Sequence, residues 1–181
     1  MNNRVVKVSK YLSKHLRHSP ERIALVLQVG GWVEVDKLLA ACNKNGFAIS
    51  REELDFVVAN NDKKRFSFDS TGQLIRANQG HSVEVDLQLE PRLPPSILYH
   101  GTGRQYVESI LETGLLKMSR HHVHLSENIE TATNVGARHG KPLVFIVDAV
   151  KMYEDGYVFY CSDNGVWLVD NVPPQYLKIN G

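Results

Sequence analysis

Residues 50–76 run SREELDFVVANNDKKRFSFDSTGQLIR, and two signals within them set the architecture of the first half of the chain. Ser50-Arg51-Glu52-Glu53 is a capping box. The serine hydroxyl accepts from the amide three residues on, and the glutamate reaches back to the serine amide, so a helix begins here. Leu54, Val57 and Val58 give that helix a buried stripe. Beyond it, Arg65-Phe66-Ser67-Phe68 and Gln73-Leu74-Ile75-Arg76 flank Asp69-Ser70-Thr71-Gly72 as a β-hairpin. Upstream, Val5, Val8, Leu12 and Leu16 recur at helical spacing until Ser19-Pro20 stops them, because the residue before proline is pushed out of the helical region. Gly30-Gly31 marks a turn. Trp32-Val33-Glu34-Val35 alternates as a short strand, Asp36 stands where it can cap a helix over residues 37–42, and Asn45-Gly46 breaks that helix. Helix, helix, helix, hairpin is the order of a winged helix-turn-helix module, which suits nucleic-acid binding; many modules of this order bind only protein.

Downstream, residues 83–89 alternate (Val83, Val85, Leu87, Leu89) as an extended connector or an edge strand, and Pro91, Pro94 and Pro95 mark a boundary. The expected division is 1–80, a connector over 81–95, and 96–181. The second half has many short strands and two helices. Strands are expected at 97–100, 123–125, 143–147, 158–160 and 166–169, the last two joined by the Asp163-Asn164-Gly165 turn. Helices are expected at 105–112, ended by Gly114, and at 130–137. The class is α+β. With neither GxGxxG nor a P-loop, a nucleotide would have to be held another way.

Composition narrows the partners. The 181 residues carry a net charge of +1, yet residues 1–80 hold thirteen Lys/Arg against eight Asp/Glu, while residues 81–181 hold eight against twelve. A basic half joined to an acidic half points to a polyanion at the first. No apolar run approaches the ~20 residues of a membrane span, and the N-terminus lacks the features of a secretory signal. The expected location is cytoplasmic, with a monomer as the default. Cys42 and Cys161 read as two small buried thiols, with no disulfide framework or zinc spacing.

Several short motifs carry chemistry. Arg17-His18 ends the first helix, as a plain cationic helix terminus or as an anion site. Arg65 precedes the hairpin in Asn61-Asp62-Lys63-Lys64-Arg65-Phe66, and Arg138-His139-Gly140-Lys141 follows the last expected helix; each also reads as a solvated basic end. His100-Gly101-Thr102-Gly103 follows a strand directly, either as a strand-to-helix turn or as a place where glycine lets a ligand approach the backbone. In His121-His122-Val123-His124, His122 and His124 would share a strand face, as metal ligands often do; no third ligand stands at a diagnostic spacing, and no metal is expected.

Together these motifs resemble the RNA 2′-phosphotransferase family, which removes the 2′-phosphate left at tRNA splice junctions. The resemblance covers nearly the whole chain. It rests on Leu16-Arg17-His18, Gly31-Trp32-Val33, Asn61 to Phe66, Gln79-Gly80-His81-Ser82, Tyr99-His100-Gly101-Thr102, His122 to Ser126, Gly136-Ala137-Arg138-His139-Gly140 and Asn164 to Leu168. It implies a winged-helix N-terminal lobe and an ADP-ribosyltransferase-like C-terminal lobe that binds NAD⁺, consumed as a co-substrate. The superfamily's His-Tyr-Glu triad matches His100, His124 and Val166 here, so the glutamate is replaced. The resemblance assigns Arg17, His18, Arg65 and Arg138 to catalysis. The cofactor-binding residues expected beside them are His100, Gly101, Thr102 and Ser126, then His124, which can also only support the fold, and Arg120, which also reads as a surface arginine.

The expected reaction has two steps: attack of an internal RNA 2′-phosphate on NAD⁺ to give RNA-2′-phospho-ADP-ribose and nicotinamide, then release of ADP-ribose 1″,2″-cyclic phosphate. The rivals are an ADP-ribosyltransferase acting on a phosphorylated nucleic-acid end or another acceptor, and a regulator whose second half binds a nucleotide without chemistry.

Overall fold

A computed structural model describes residues 3–61 and 63–181. Asp62, part of the motif around Arg65, and Met1 and Asn2, part of the N-terminal stretch read for a signal, lie outside the described residues. The contacts separate two units, Met1–Gln88 and Leu89–Gly181. Both mix helices with small antiparallel sheets, and the described residues hold six α-helices in all.

In the first unit, α1 (Asn3–Arg17) buries Val8, Leu12, His15 and Leu16 along one face. β1 (Val33–Glu34) leads into α2 (Val35–Lys44), and α3 (Arg51–Ala59) follows. The capping box is present in full: Ser50 Oγ accepts from Glu53 N at 3.2 Å, and a Glu53 carboxylate oxygen accepts from Ser50 N at 3.1 Å. β2 (Phe66–Phe68) and β3 (Leu74–Ala77) form the hairpin, and β1 joins its far side in the order β1-β3-β2. Leu12, Leu16, Leu38, Cys42, Leu54, Phe66 and Ile75 share one core. The strand expected over 32–35 is only two residues long. The helix starts at Val35 with Glu34 before it, so Asp36 lies in the first turn rather than at the cap, where its charge still complements the helix dipole. Residues 83–89 form no strand: Asp86 O accepts from Gly30 N, and Leu87 is buried beside Gly31.

In the second unit, β4 (Ile97–Gly103) leads through a 3₁₀ turn into α4 (Val107–Thr113), which ends at Gly114 with φ +78°. There follow β5 (Leu115–Leu116), β6 (Val123–Leu125), α5 (Ile129–Gly136), β7 (Pro142–Asp148), α6 (Ala149–Glu154), β8 (Tyr160–Cys161), β9 (Trp167–Val169), β10 (Asn171–Val172) and β11 (Leu177–Ile179). β4 pairs with β7 along its whole length, from Ile97↔Asp148 to Gly103↔Pro142, and β11 lies on the other side of β7. β6, β9 and β8 form a second sheet, and β10 pairs with β5. A two-way bond between Tyr99 and Ser126 joins β4 to the end of β6. Leu98, Phe145, Val147, Met152, Phe159 and Trp167 fill the core.

The expectation of two helices in this half is corrected to three. α6 has six residues, fewer than two turns, and starts where β7 stops without a glycine or proline between them. Its signal is the Asp148 cap, whose carboxylate accepts from Lys151 N at 3.2 Å; so short a run shows no helical period. Of the two thiols, Cys42 is buried and burial pushes its pKa up to about 11, whereas Cys161 is only half-buried. No helix among the described residues is long and apolar enough to cross a membrane.

Candidate active site

The candidate residues fall into two sets, one in each unit. In the first unit, Arg17 is the last residue of α1 and His18 follows it. The Arg17 carbonyl accepts from Ser82 N at 2.9 Å and from Val83 N at 3.4 Å. His18 Nδ1 and Ser82 Oγ are 2.9 Å apart. Four residues before Ser82, Asn78 N donates to the Arg65 carbonyl at 2.9 Å and Asn78 Nδ2 donates to the Lys64 carbonyl at 2.7 Å. The segment 78–82 is therefore tied to Arg65 at one end and to Arg17 and His18 at the other. Four Cα steps of 3.8 Å limit it to about 15 Å. His81, inside this strut, is buried beside Gly31, whose φ of +75° favours glycine and where a Cβ would lie 3.2 Å from Leu87 Cδ2 and 3.4 Å from His81 Nε2.

The Arg65 side chain is held from a different direction. Its Nη1 donates to Asn61 Oδ1 at 3.3 Å, and the same oxygen accepts from Lys63 N at 3.1 Å. Asn61 Nδ2 donates to Ser9 Oγ on α1 at 3.2 Å. Asn61 is buried, so one amide brackets the arginine against the helix that ends in Arg17. Asn61 and Ser82 both lie within the sequence motifs, where neither has a role on its residue type alone. The available signal was Asn two residues before a basic turn, where its side-chain oxygen can accept from the i+2 amide.

In the second unit, β4 carries His100, Gly101 and Thr102. His100 Nδ1 lies 3.0 Å from the carbonyl oxygen of His124. A carbonyl can only accept, so Nδ1 carries the proton and the neutral ring presents Nε2 as an acceptor. Crowding by protein atoms holds the His100 pKa below its ordinary value of 6.5; the His124 carbonyl opposes this, and the charges of His139 and Arg120 add to the depression. The ring is thus neutral at pH 7.

Gly101 has a packing reason to be glycine. A Cβ there would lie 1.6 Å from the Ala132 carbonyl oxygen of α5. Gly136, at the end of α5, faces Thr102 in the same way, its Cβ position lying 2.8 Å from Thr102 O. Two glycines thus let α5 lie flush on β4. Arg138 sits in the 3₁₀ turn that continues α5, exposed, before Gly140 with φ +118°. Thr102 is buried in the β4–β7 pairing opposite Leu143.

Ser126 is fixed to Tyr99 by the paired backbone bonds at 2.8 and 2.9 Å. His124 lies on β6 between buried Val123 and Leu125, on the opposite face of the strand. Its Nδ1 is 3.4 Å from Arg120 Nη1, and since arginine only donates, that nitrogen accepts. Arg120 itself is exposed. Val166 is half-buried in the turn before β9, its amide donating to Ser162 Oγ at 3.2 Å. A carboxylate does stand beside this strand: Glu127 accepts from Trp167 Nε1 at 2.6 Å. Nothing in the sequence drew attention to it. The His122 ring lies 5.4 Å from that of Tyr160, and its pKa is lowered, first by burial. Among the described residues, no group of three or more His, Cys, Asp or Glu could hold a metal ion.

A family model described as "RNA 2′-phosphotransferase, Tpt1 / KptA family" matches residues 3–171. The chain is 70% identical over 176 residues to a protein named "Probable RNA 2′-phosphotransferase" from Trichormus variabilis, with 97% of each chain covered. It is 67% identical over 177 residues to a protein of the same name from Nostoc punctiforme, covering 98% of each. A third, from Streptomyces griseus, is 57% identical over 185 residues, again covering 98% of each. The matched span takes in Arg17, His18, Arg65, His100, Ser126 and Arg138, and with that likeness running end to end through both units the chain belongs to the RNA 2′-phosphotransferase family.

Proposed function

We propose that this protein is an NAD⁺-dependent RNA 2′-phosphotransferase, acting on an internal 2′-phosphate of the kind left at a tRNA splice junction. The first unit is assigned as a winged-helix RNA-binding module and the second as an ADP-ribosyltransferase-like module. The observation that carries the reading, beside family membership, is the strut 78–82. It ties the main chain at Arg65 and at Arg17 and the ring of His18 to one short segment, gathering residues whose cationic and hydrogen-bonding side chains are of the kind a phosphate dianion requires.

The residues of the second unit suit a dinucleotide. His100 is held neutral in a single tautomer, Ser126 is pinned to the backbone of the preceding Tyr99, and Arg120 is exposed next to His124, which offers an acceptor, a hydroxyl and a cation for the ribose and diphosphate. His100, Gly101, Thr102, Ser126, His124 and Arg120 are the residues assigned to hold NAD⁺, with Gly101 offering only its backbone. Bound NAD⁺ supplies an electrophilic anomeric carbon and a nicotinamide leaving group.

The RNA 2′-phosphate is already an anion and needs no base to make it a nucleophile. Val166, where related transferases have glutamate, accords with this. In the first step the phosphate oxygen bonds to the anomeric carbon and nicotinamide departs, giving RNA-2′-phospho-ADP-ribose. In the second, the ribose O2″ attacks phosphorus, and the RNA O2′ leaves with a proton as ADP-ribose 1″,2″-cyclic phosphate forms. Charge then grows on the nonbridging oxygens and on O2′. Arg17, Arg65 and Arg138 are assigned to stabilise it. His18 is assigned either to hydrogen-bond the phosphate or to protonate O2′; its contact with Ser82 orients the ring for both roles.

The experiment is incubation of an internally 2′-phosphorylated RNA with and without NAD⁺. Phosphate loss and nicotinamide release are expected only with NAD⁺. Loss that ignores NAD⁺, or none at all, would overturn the proposal. Radiolabel from NAD⁺ ending up stably on a phosphorylated RNA terminus would instead favour an end-modifying ADP-ribosyltransferase.

A further inference from the structure

The basic character of the first unit has a location. α1 carries Lys7, Lys10, Lys14 and Arg17 at steps of three, four and three residues. At about 100° per residue these four fall within an arc of about 80°, on the side of the helix away from buried Val8, Leu12 and Leu16. Lys7, Lys10 and Lys14 are exposed. Asn3–Arg17 contains no acidic residue, and among the described residues none of the three lysines has a side-chain ion pair or hydrogen bond. Uncompensated like charges on one helix face repel one another, so the stripe calls for an anionic partner.

α3, the helix a winged-helix module would offer to nucleic acid, is built otherwise. Its exposed residues include Glu52, Asp55 and Phe56, and its Arg51 is committed to Asp55 at 2.9 Å. That face repels a polyanion. The α1 stripe attracts one and ends at Arg17, the residue assigned to the 2′-phosphate. Lys7 to Arg17 spans about 15 Å along the helix axis.

We propose that the Lys7–Lys10–Lys14 face of α1 is the track for the RNA strand beside the 2′-phosphorylated nucleotide, its phosphodiesters pairing with the three ammonium groups. This rests on the function proposed above and names the part of the substrate that lies beyond the reacting phosphate. The contacts are to the backbone, so the track is indifferent to base sequence. It makes affinity depend on strand length and on salt.

The test compares the full-length protein with a K7Q/K10Q/K14Q variant and a K7R/K10R/K14R variant on two substrates: a 2′-phosphorylated dinucleotide, and a single-stranded oligonucleotide of about a dozen residues with the same 2′-phosphate. The glutamine variant is expected to raise KM for the long strand by roughly 10- to 100-fold, the loss being confined to that substrate. Removing three phosphate contacts should also lower the slope of log affinity against log salt by about 2, from roughly 0.7 per contact on single strands. The arginine variant should restore both. An unchanged KM and salt slope in the glutamine variant would overturn the track and leave the stripe for an acidic protein or a membrane surface. Equal loss on the dinucleotide would overturn it too, by showing a general effect on the enzyme. If the wild type turns over neither substrate, the proposed activity fails, while salt-dependent binding of the oligonucleotide still decides the track.

Discussion

The α-carbon of Gly101 sits so close beneath the carbonyl of Ala132 that a methyl group on it would lie 1.6 Å from that oxygen. The strand that carries His100 and the helix that leads to Arg138 meet most tightly here, with Gly136 against Thr102 as the second close approach. Gly101→Ala should therefore push α5 off β4, destabilising the fold by about 3 kcal/mol, the upper part of the range for overpacking. Activity should fall with it. Denaturant unfolding measures the first effect; a change under 0.5 kcal/mol would mean the two elements part easily.

His100 gives the protein a pH signature. Its folded pKa is below 6.5, so the unfolded chain binds the proton more tightly. The stability this provides is complete above about 6.5 and is lost as pH falls from there through the folded pKa. His122 is shifted the same way and adds to the effect. Stability measured from pH 8 down to pH 5 should decline below 6.5, and His100→Asn should flatten part of that decline. NMR titration of the ring gives the direct check: a pKa at or above 6.5 refutes the assignment of a neutral ring held by desolvation.

Asn61 should behave as a positioning residue for Arg65. Asn61→Ala removes the acceptor for Arg65 Nη1 and the bond to Ser9. A drop in kcat of about tenfold or more is expected, the cost of one lost orienting contact, with RNA-2′-phospho-ADP-ribose building up if Arg65 serves mainly the second step. A variant that is less stable but keeps a normal kcat and shows no intermediate would make Asn61 purely structural.

Arg65→Ala and Arg138→Ala should each cost on the order of 10²- to 10³-fold in the second step, like other losses of preorganised charge stabilisers. Lysine at either position should recover only part of this, since it lacks the planar fork. Quenched-flow analysis of RNA and nicotinamide separates the steps; loss of nicotinamide release as well would place these arginines in the first.

Ser50→Ala removes the α3 cap and should cost about 1 kcal/mol. Because Glu53 also pairs with Arg4 at 2.8 Å, Glu53→Gln weakens two contacts at once, and the double variant should be less than additive. Turnover should be untouched by Ser50→Ala, and thermal unfolding beside a kcat measurement settles both points.

The sequence by itself determined whatever local chemistry controls. The capping box at Ser50, the proline stop at residue 20, the turn at 69–72 and the Gly114 helix end need only neighbours in the chain, and each stands where its residues put it. The motifs around Arg17, Arg65, His100 and Arg138 were legible as a family pattern for the same reason, as short runs of fixed spacing. α6 escaped because six residues are too few for a period to appear, and the strand at 32–35 was overcalled because its last residue belongs to a helix. Only the tertiary structure decided that Asn61 ties the Arg65 side chain to Ser9 on α1, that residues 78–82 join Arg65 to Arg17, and that Gly101 is glycine because of Ala132, on a helix 31 residues further along the chain. Those are contacts between segments far apart in the chain. They depend on distances that close only when the core packs, and no local pattern of side chains encodes them.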